Sequence, residues 1–414
     1  MSFQELKSKG RLLLKKDPIL LNSFFLILSG IFSSGCGFFF WILAARLYSL
    51  EDVGIATALI SFLGLAVLFS TFGFEFSIIR FFPDGDRSKV VNTCLVVVTI
   101  LSLSLGIMFI IFVDFMSPTL SFIKNVPYSL LFVFICVMET LAAIAGRALV
   151  AGRKSYYYFA QNLFLFTRII FLFLGTSLGA LGIFGSFGLS FIAASIFALF
   201  ILDKYIAPLK LIIDKNFLSK SFKYAYWNYI SNILFIAPTL ILPIMALDIV
   251  GEAETAKYYI AFNIGNLILV VPASLSTSVF VEGSYGNGLR NSVIRAAVIN
   301  FAILIPGILV ILFSGQYLLD FVNVEYATAF DLLRIITLSS LLVSLYYLFI
   351  SIENVKMNVE IIVILNLIRF SSIIGLSYLL IARYGITGLG YAWVLSYIIL
   401  SICIIAIGKR EHMI

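Results

Sequence analysis

Twelve long apolar segments run through this chain, and they constrain its fold more than any other feature of the sequence. Each has the length of about 20 residues at which an α-helix crosses the hydrocarbon core of a bilayer. Only 12% of the residues are charged, about half the share found in soluble domains. We therefore predict an all-α, polytopic membrane protein with spans near residues 20–45, 53–79, 91–113, 128–150, 156–176, 181–203, 223–247, 257–281, 292–314, 331–352, 359–382 and 387–408.

The connections between the spans are short, and the longest polar one runs from Asp203 to Lys220. No connection is long enough for a soluble catalytic domain, and no Walker A, GxSxG or HExxH motif occurs. His412 is the single histidine, and the four cysteines lie inside apolar segments without a CxxC pair. The sequence predicts a protein that is not an enzyme and that binds no cofactor and no metal.

Lysine and arginine are distributed unevenly between the two sides of the predicted spans. Of the 28 basic residues, 21 lie on the side of the N-terminus, four lie in loops on the other side, and three lie within or at the edge of spans. By the positive-inside rule, both termini are predicted to be cytoplasmic in a multi-pass protein of the cell membrane. Anionic membrane lipids explain the net charge of +7, so we predict no nucleic-acid partner.

The two halves of the chain resemble each other weakly. A shift of 203 residues places Glu51 on Glu254, and a shift of 206 places Gly179 on Gly385. A parallel repeat of six spans implies a pseudo-two-fold axis along the membrane normal, with a central cavity between two bundles. The predicted domains are an N-terminal six-helix bundle at 1–204, a cytoplasmic linker at 205–222 and a C-terminal six-helix bundle at 223–414.

Three charges lie deep inside predicted spans, where an ionised side chain is costly and points to function. Arg168 and Arg369 lie near the middle of spans five and eleven, and an arginine fork suits a phosphate or pyrophosphate. We interpret them as substrate-binding anchors; the alternative is a structural ion pair or a side chain that extends to the interface. Glu139, in the middle of span four, is a candidate ion-coupling residue that takes up and releases a proton, or else a fixed partner of Arg168.

Three further candidate charges lie at the predicted cytoplasmic ends of spans. Glu75 and Arg80 end span two, and Arg147 ends span four. Arg80 and Arg147 are candidate substrate-binding residues at the inward mouth of the cavity, and Glu75 is a second candidate for ion coupling. The alternative interpretation is that all three are interfacial charges with access to water.

Prolines within spans seven and eight predict bends in those helices. Pro238, Pro243 and Pro272 each remove a backbone hydrogen bond and clash with the preceding turn. The bends could serve as hinges for a conformational change or could be static kinks.

The loops carry the pattern of a known family. Residues 45–54, with the sequence ARLYSLEDVG, follow span one, and residues 72–81, FGFEFSIIRF, end span two. Together with residues 252–259 and with residues 325–330, EYATAF, they resemble the polysaccharide-export flippases, which are Wzx-type members of the MOP superfamily that also contains the MATE exporters. The resemblance covers essentially the whole chain.

The resemblance implies a transporter that flips polyprenyl-pyrophosphate-linked oligosaccharide from the cytoplasmic to the outer leaflet by alternating access, with coupling to an ion. It also implies that membrane lipids and the polysaccharide polymerase or export machinery are partners. Lipid II flippases carry cavity arginines in spans one, two and eight, but spans one and eight of this chain contain no internal arginine. The assignment of Arg168 and Arg369 therefore rests on their depth and not on the family pattern.

Two other functions fit parts of the sequence. A MATE-like exporter of small molecules would share the fold, although such exporters favour acidic cavities for cationic substrates. A membrane enzyme that polymerises or ligates lipid-linked glycan would be expected to have a large outer loop, and the outer loops here are short.

Overall fold

The computed structural model describes residues 18–82, 86–284 and 289–410. Within these ranges every regular element is a helix and there is no strand, which confirms the predicted all-α class. Eleven helices in this part of the chain are long and apolar enough to cross a membrane. The bent pair Glu252–Leu267 and Val270–Thr277 raises the number to twelve if it forms one span, in agreement with the sequence. The protein is a multi-pass membrane protein.

Two compact units divide the chain. Unit 1 comprises Met1–Ala44 and Leu63–Tyr229. Three of its helices, α1, α2 and α10, also extend into unit 2. The α-helices of unit 1 are α1 (Pro18–Leu47), α2 (Leu50–Thr71), α3 (Phe74–Phe81), α4 (Arg87–Ile111), α5 (Val113–Met116), α6 (Val126–Ala151), α7 (Ser155–Phe164), α8 (Thr167–Leu174), α9 (Ala180–Tyr205) and the start of α10 (Lys215–Val250). Unit 1 also has 3-10 helices at Pro118–Lys124 and Thr176–Leu178.

Unit 2 comprises Ala45–Phe62 and Ile230–Ile414. It contains the end of α1, the first part of α2, the second part of α10, and a 3-10 helix at Val324–Ala329. Its other helices are α11 (Glu252–Leu267), α12 (Val270–Ser284), α13 (Leu289–Val322), α14 (Phe330–Val355), α15 (Val359–Tyr384) and α16 (Ile386–Arg410). The division into domains at 204 and 223 stays a prediction.

Small residues allow helices of unit 1 to pack closely. Gly188 of α9 lies against Ile135 of α6, and a Cβ added to this glycine would be 2.2 Å from Ile135 Cδ1. Close approach of this kind is the main way in which helices gain van der Waals contact inside a bilayer. The packing of α6 on α9 holds Glu139, four residues after Ile135, in a fixed position.

Three spans are interrupted within the described ranges, and each interruption has a local cause. Phe72 and Gly73, with φ of 45° and 75°, separate α2 from α3, because a left-handed residue cannot continue a right-handed helix. Span eight bends by 45° between α11 and α12. The bend lies just before Pro272, whose ring excludes a regular turn at Ile268, four residues earlier. The kink predicted from Pro272 is therefore present.

The third interruption divides span five into α7 and α8 around Leu165. The carbonyl oxygen of Leu165 accepts a hydrogen bond from the side-chain Nε of Arg168 at 2.9 Å. This side-chain bond satisfies a carbonyl group at the break, as backbone groups in a bilayer require. The sequence predicted one continuous span over this range and gave no indication of the break.

Candidate functional site

Unit 1 contains a cavity of about 240 Å³ that brings predicted site residues together. Its walls come from α1, α2, α3, α6, α7 and α9. Three of the six candidate residues line it, namely Glu75, Glu139 and Arg147. Its other polar side chains are Ser33, Tyr158, Gln161 and Asn162.

Glu139 projects from α6 into this cavity. Its Oε2 atom is buried and has no hydrogen-bond partner among the described residues. The guanidinium of Arg168 acts on the carboxylate electrostatically, but the ion pairs found in the described ranges do not include one between these two residues. The side chain therefore has an acceptor atom available in the cavity.

Gln161 supplies a second such acceptor from α7. Its Nε2 donates to the carbonyl oxygen of Ala142 at 2.8 Å, which fixes the orientation of the amide. Its Oε1 is buried and, in the described part of the chain, has no donor. Two buried acceptor oxygens in one cavity, neither of which receives a hydrogen bond in the described part of the chain, suit a proton or a cation.

Arg168 is 6% exposed and does not belong to the lining of this cavity. Its guanidinium carbon lies 5.6 Å from the ring centre of Phe40 and 5.7 Å from that of Phe187. Aromatic faces stabilise a buried guanidinium through their quadrupoles. Arg168 is thus enclosed in unit 1, with its Nε hydrogen-bonded to Leu165.

Glu75 and Arg147 form an ion pair at the edge of the cavity. Arg147 Nε lies 3.7 Å from Glu75 Oε2, and the two side chains are 45% and 18% exposed. An ion pair with this exposure contributes little to stability and can open at low cost. Arg80, on the same short helix as Glu75, is exposed.

Unit 2 contains a separate cavity of about 310 Å³ with largely apolar walls that include four aromatic residues. Arg369 of α15 supplies its charge and is 2% exposed. The remaining lining includes the aromatic residues Phe235, Tyr347, Trp393 and Tyr397 and the polar residues Thr239 and Asn266.

The guanidinium of Arg369 is held on several sides. Its Nε donates to Tyr397 Oη at 2.8 Å, and its Nη1 donates to the carbonyl oxygen of Phe235 at 2.7 Å. Its central carbon lies 4.7 Å from the ring centre of Phe235 and 5.3 Å from that of Trp393. No carboxylate lies within 4.0 Å of it in the described ranges. Arginine stays protonated in proteins, so the cavity contains a positive charge without a carboxylate beside it.

A second layer of hydrogen bonds supports these aromatic walls. Tyr346 donates to Asn366 Oδ1, and Asn366 Nδ2 donates to Ser231 Oγ at 2.9 Å. The rings of Tyr346 and Phe235 are nearly parallel, with centres 6.4 Å apart. This network holds Phe235, and through it the guanidinium of Arg369, in one orientation.

Sequence reasoning missed the partners of the charged residues. Trp393 and Tyr397 lie four residues apart and so share one face of α16, but aromatic residues occur in almost every span of this chain. Gln161 and its neighbour Asn162 are two amides in span five, and nothing in their spacing distinguishes them from helix-packing residues. The spacing of Trp393 and Tyr397 was the one available indication.

The two cavities differ in their chemistry. The unit 1 cavity presents acceptor oxygens and suits a cation or a proton, whereas the unit 2 cavity presents guanidinium donors between aromatic faces and suits an anion. The roles of the six candidate residues stay predictions.

Comparisons with known proteins place this arrangement in a family. Residues 19–281, well over half of the chain, match the family model described as polysaccharide biosynthesis protein. No curated protein matches the sequence significantly.

Solved structures share the fold at low sequence identity. The lipid II flippase MurJ in an inward closed conformation has a TM-score of 0.76 at 17% identity, over 94% of this chain and 87% of that one. An inward-facing multidrug resistance MATE transporter of the MOP superfamily has a TM-score of 0.72 at 15% identity, over 92% and 94%. A MOP superfamily transporter from Pyrococcus furiosus has a TM-score of 0.57 at 14% identity, over 95% and 93%.

The family match and the fold confirm the resemblance seen in the loop sequences. The chain has the fold of the MOP-superfamily transporters and belongs to the polysaccharide biosynthesis protein family.

Proposed function

We propose that this protein flips polyprenyl-pyrophosphate-linked oligosaccharide from the cytoplasmic to the outer leaflet of the cell membrane by alternating access coupled to an ion. The family match and the flippase fold support a transport role in polysaccharide biosynthesis. In this proposal both termini are cytoplasmic, the two six-span halves are the moving bodies, and the partners are membrane lipids and the polysaccharide polymerase or export machinery.

The observation that carries the proposal is Arg369. A buried guanidinium without a carboxylate partner is unfavourable in a low-dielectric interior, and an anionic ligand would remove that penalty. The pyrophosphate of a lipid-linked glycan is such an anion, and it matches the planar donors of arginine. The aromatic walls of the same cavity offer flat apolar faces beside the charge.

The other arginines have subsidiary roles in the proposal. Arg147 and Arg80, which are exposed on α6 and α3, attract the pyrophosphate when it enters from the cytoplasmic side. Opening of the pair between Arg147 and Glu75 would release the guanidinium for the substrate. Arg168 is assigned to the electrostatic control of Glu139 as well as to the substrate path.

Ion coupling is assigned to the unit 1 cavity. The available acceptors of Glu139 and Gln161 support uptake of a proton on Glu139, with Glu75 as a second carboxylate in the same cavity. Protonation removes a buried negative charge, and this change in charge can favour one conformation over another.

A transport assay with purified protein tests the proposal. The full chain is reconstituted into liposomes that contain a fluorescent oligosaccharide on polyprenyl pyrophosphate, and the label accessible to an external quencher is followed over time. We expect transport that exceeds protein-free liposomes, that depends on a pH gradient, and that is absent for the same glycan on an uncharged polyprenol. Equal rates for the charged and uncharged lipids would contradict the proposal.

Export of small organic cations is a second candidate function, and the acidic lining of the unit 1 cavity favours it. Glu75 and Glu139 in one cavity could bind a cationic compound directly. The same liposomes discriminate the two functions. Gradient-driven uptake of an organic cation such as ethidium, without transport of the glycolipid, would establish the exporter and exclude the flippase.

A further inference from the structure

An extended segment at residues 207–214, which we call the strap, connects α9 to α10 within unit 1. Its backbone is fixed by buried side chains of α4. Asn92 donates from Nδ2 to the carbonyl oxygen of Pro208 at 2.9 Å and accepts from the backbone N–H of Lys210 at 2.8 Å. Thr93 Oγ1 accepts from the backbone N–H of Asp214 at 2.9 Å. The strap therefore has one defined register against α4.

This register exposes apolar side chains. Leu209, Leu211 and Ile213 are the exposed large apolar residues of the strap, and the turn in which the Ile212 N–H donates to the carbonyl oxygen of Lys210 at 3.0 Å holds Leu211 at its tip. Leu211 is 95% exposed, Ile213 48% and Leu209 37%. The hydrogen bonds to the strap backbone thus hold three apolar side chains at the surface. Because apolar surface in water is unfavourable, we infer that these side chains lie in lipid.

A groove of about 400 Å³ lies beside the strap. Leu95, Val96, Thr99 and Ile100 of α4 and Leu199 of α9 form its apolar walls, and Leu209, Lys210 and Leu211 of the strap close one end. Its volume is within the ~300–1,000 Å³ of typical ligand sites. The groove is thus apolar along two transmembrane helices and carries a lysine at one end. This arrangement matches a phospholipid, which has apolar acyl chains and a charged headgroup.

The charge around the strap favours an anionic headgroup. Residues 86–89 and 203–220 contain six basic and three acidic side chains. The acids already have partners: Asp86 lies 4.0 Å from Lys89, Asp203 accepts from the backbone N–H of Leu209, and Asp214 accepts from backbone N–H groups at the start of α10. By the positive-inside rule this end of unit 1 faces the cytoplasmic leaflet, which carries anionic lipid.

We propose that the strap and the groove between α4 and α9 form a binding site for an anionic phospholipid. One acyl chain lies along Val96 and Ile100, and the headgroup phosphate lies beside Lys210. The site is separate from the Glu139 and Arg369 cavities and does not depend on the proposed transport function.

Binding of phosphatidylglycerol to the purified full chain tests the proposal. Native mass spectrometry in detergent gives an apparent affinity for each variant, with phosphatidylcholine as the uncharged competitor. Lys210→Glu is expected to weaken phosphatidylglycerol binding about tenfold. Lys220→Glu is the control, because it changes the net charge by the same amount. Lys220 lies on the exposed start of α10, outside the groove, so this variant is expected to change the affinity less than twofold. Equal losses in the two variants would overturn the proposal, because they would indicate a diffuse surface charge.

A second variant tests the groove without a change in charge. Val96→Trp would fill the space between α4 and α9 and is expected to displace phosphatidylglycerol to the same extent as Lys210→Glu. A photoactivatable phosphatidylglycerol is expected to label peptides that contain residues 92–100 and 207–214 in the wild-type protein and not in Val96→Trp. Labelling that persists in this variant, phosphatidylcholine binding as tight as phosphatidylglycerol, or displacement of phosphatidylglycerol by equimolar polyprenyl phosphate would each overturn the assignment.

Discussion

Replacement of Arg369 by methionine tests the anion site of unit 2 most directly. Methionine has a similar length and adapts to irregular apolar cavities, so the change removes the charge and the donors without a large loss of volume. Arg369→Lys is the companion variant. It keeps the charge, but a single ammonium group cannot replace the planar fork that donates to Tyr397 and Phe235.

The expected size of the effect follows from the donors. The Nε–H and one N–H of Nη1 donate to Tyr397 and Phe235. The remaining N–H groups of the guanidinium are left for a ligand. A hydrogen bond to a charged group is worth about 1.5–3 kcal/mol, so two such bonds to a pyrophosphate amount to roughly 3–6 kcal/mol. At about 1.4 kcal/mol per tenfold change, Arg369→Met should weaken binding by about 10²–10⁴-fold. Arg369→Lys should fall between methionine and the wild type.

The effect on folding should be smaller than the effect on binding. Arg369→Met leaves Tyr397 Oη and the carbonyl oxygen of Phe235 without their donor, and each loss costs about 1–3 kcal/mol if no other partner is found. It also removes a buried charge that has no carboxylate partner in the described part of the chain, which offsets this cost. The melting temperature in detergent should therefore change little.

The assay is equilibrium binding of a polyprenyl pyrophosphate to the purified protein, with the melting temperature measured on the same samples. Arg334→Met is the matched control, because Arg334 lies on α14, is 53% exposed and lies 3.5 Å from Asp331. It should bind like the wild type. An Arg369→Met protein that binds within about threefold of the wild type, at an unchanged melting temperature, would refute the anion site.

Three further changes test other parts of the structure. Glu139→Gln should abolish transport driven by a pH gradient while lipid binding persists; transport with wild-type pH dependence would contradict coupling at this residue. Gly188→Ala should destabilise the protein by about 1–3 kcal/mol through overpacking, because the new Cβ would meet the side chain of Ile135. Gly185→Ala on the same helix has no atom within 4 Å and should be neutral, and equal melting temperatures would refute the packing argument. Backbone N–H groups at the start of α10 hold the pKa of Asp214 below its ordinary value. Its contribution to stability should thus be present above pH ~3.9 and be lost as the pH falls through the lower folded pKa, so the difference in melting temperature between the wild type and Asp214→Ala should shrink at acidic pH.

The sequence by itself determined the class of structure and the number of spans. A segment of about 20 apolar residues must satisfy its backbone groups within itself when it crosses a bilayer, so length and composition are sufficient to predict a helix there. They also located the deep charges: Arg369 and Arg168 are buried in the structure, and Glu139 has a buried carboxylate oxygen.

Only the tertiary structure decided which side chains surround each of these charges. Depth along a span follows from position in the sequence, but the direction of a side chain depends on the rotation of its helix and on its neighbours. Most spans here are apolar on every side, so they contain little information about which face is buried. The sequence could therefore not indicate that Glu139 shares a cavity with Gln161, while Arg369 lies between aromatic rings without an acid. Packing fixed these neighbours, and with them the opposite chemistry of the two cavities.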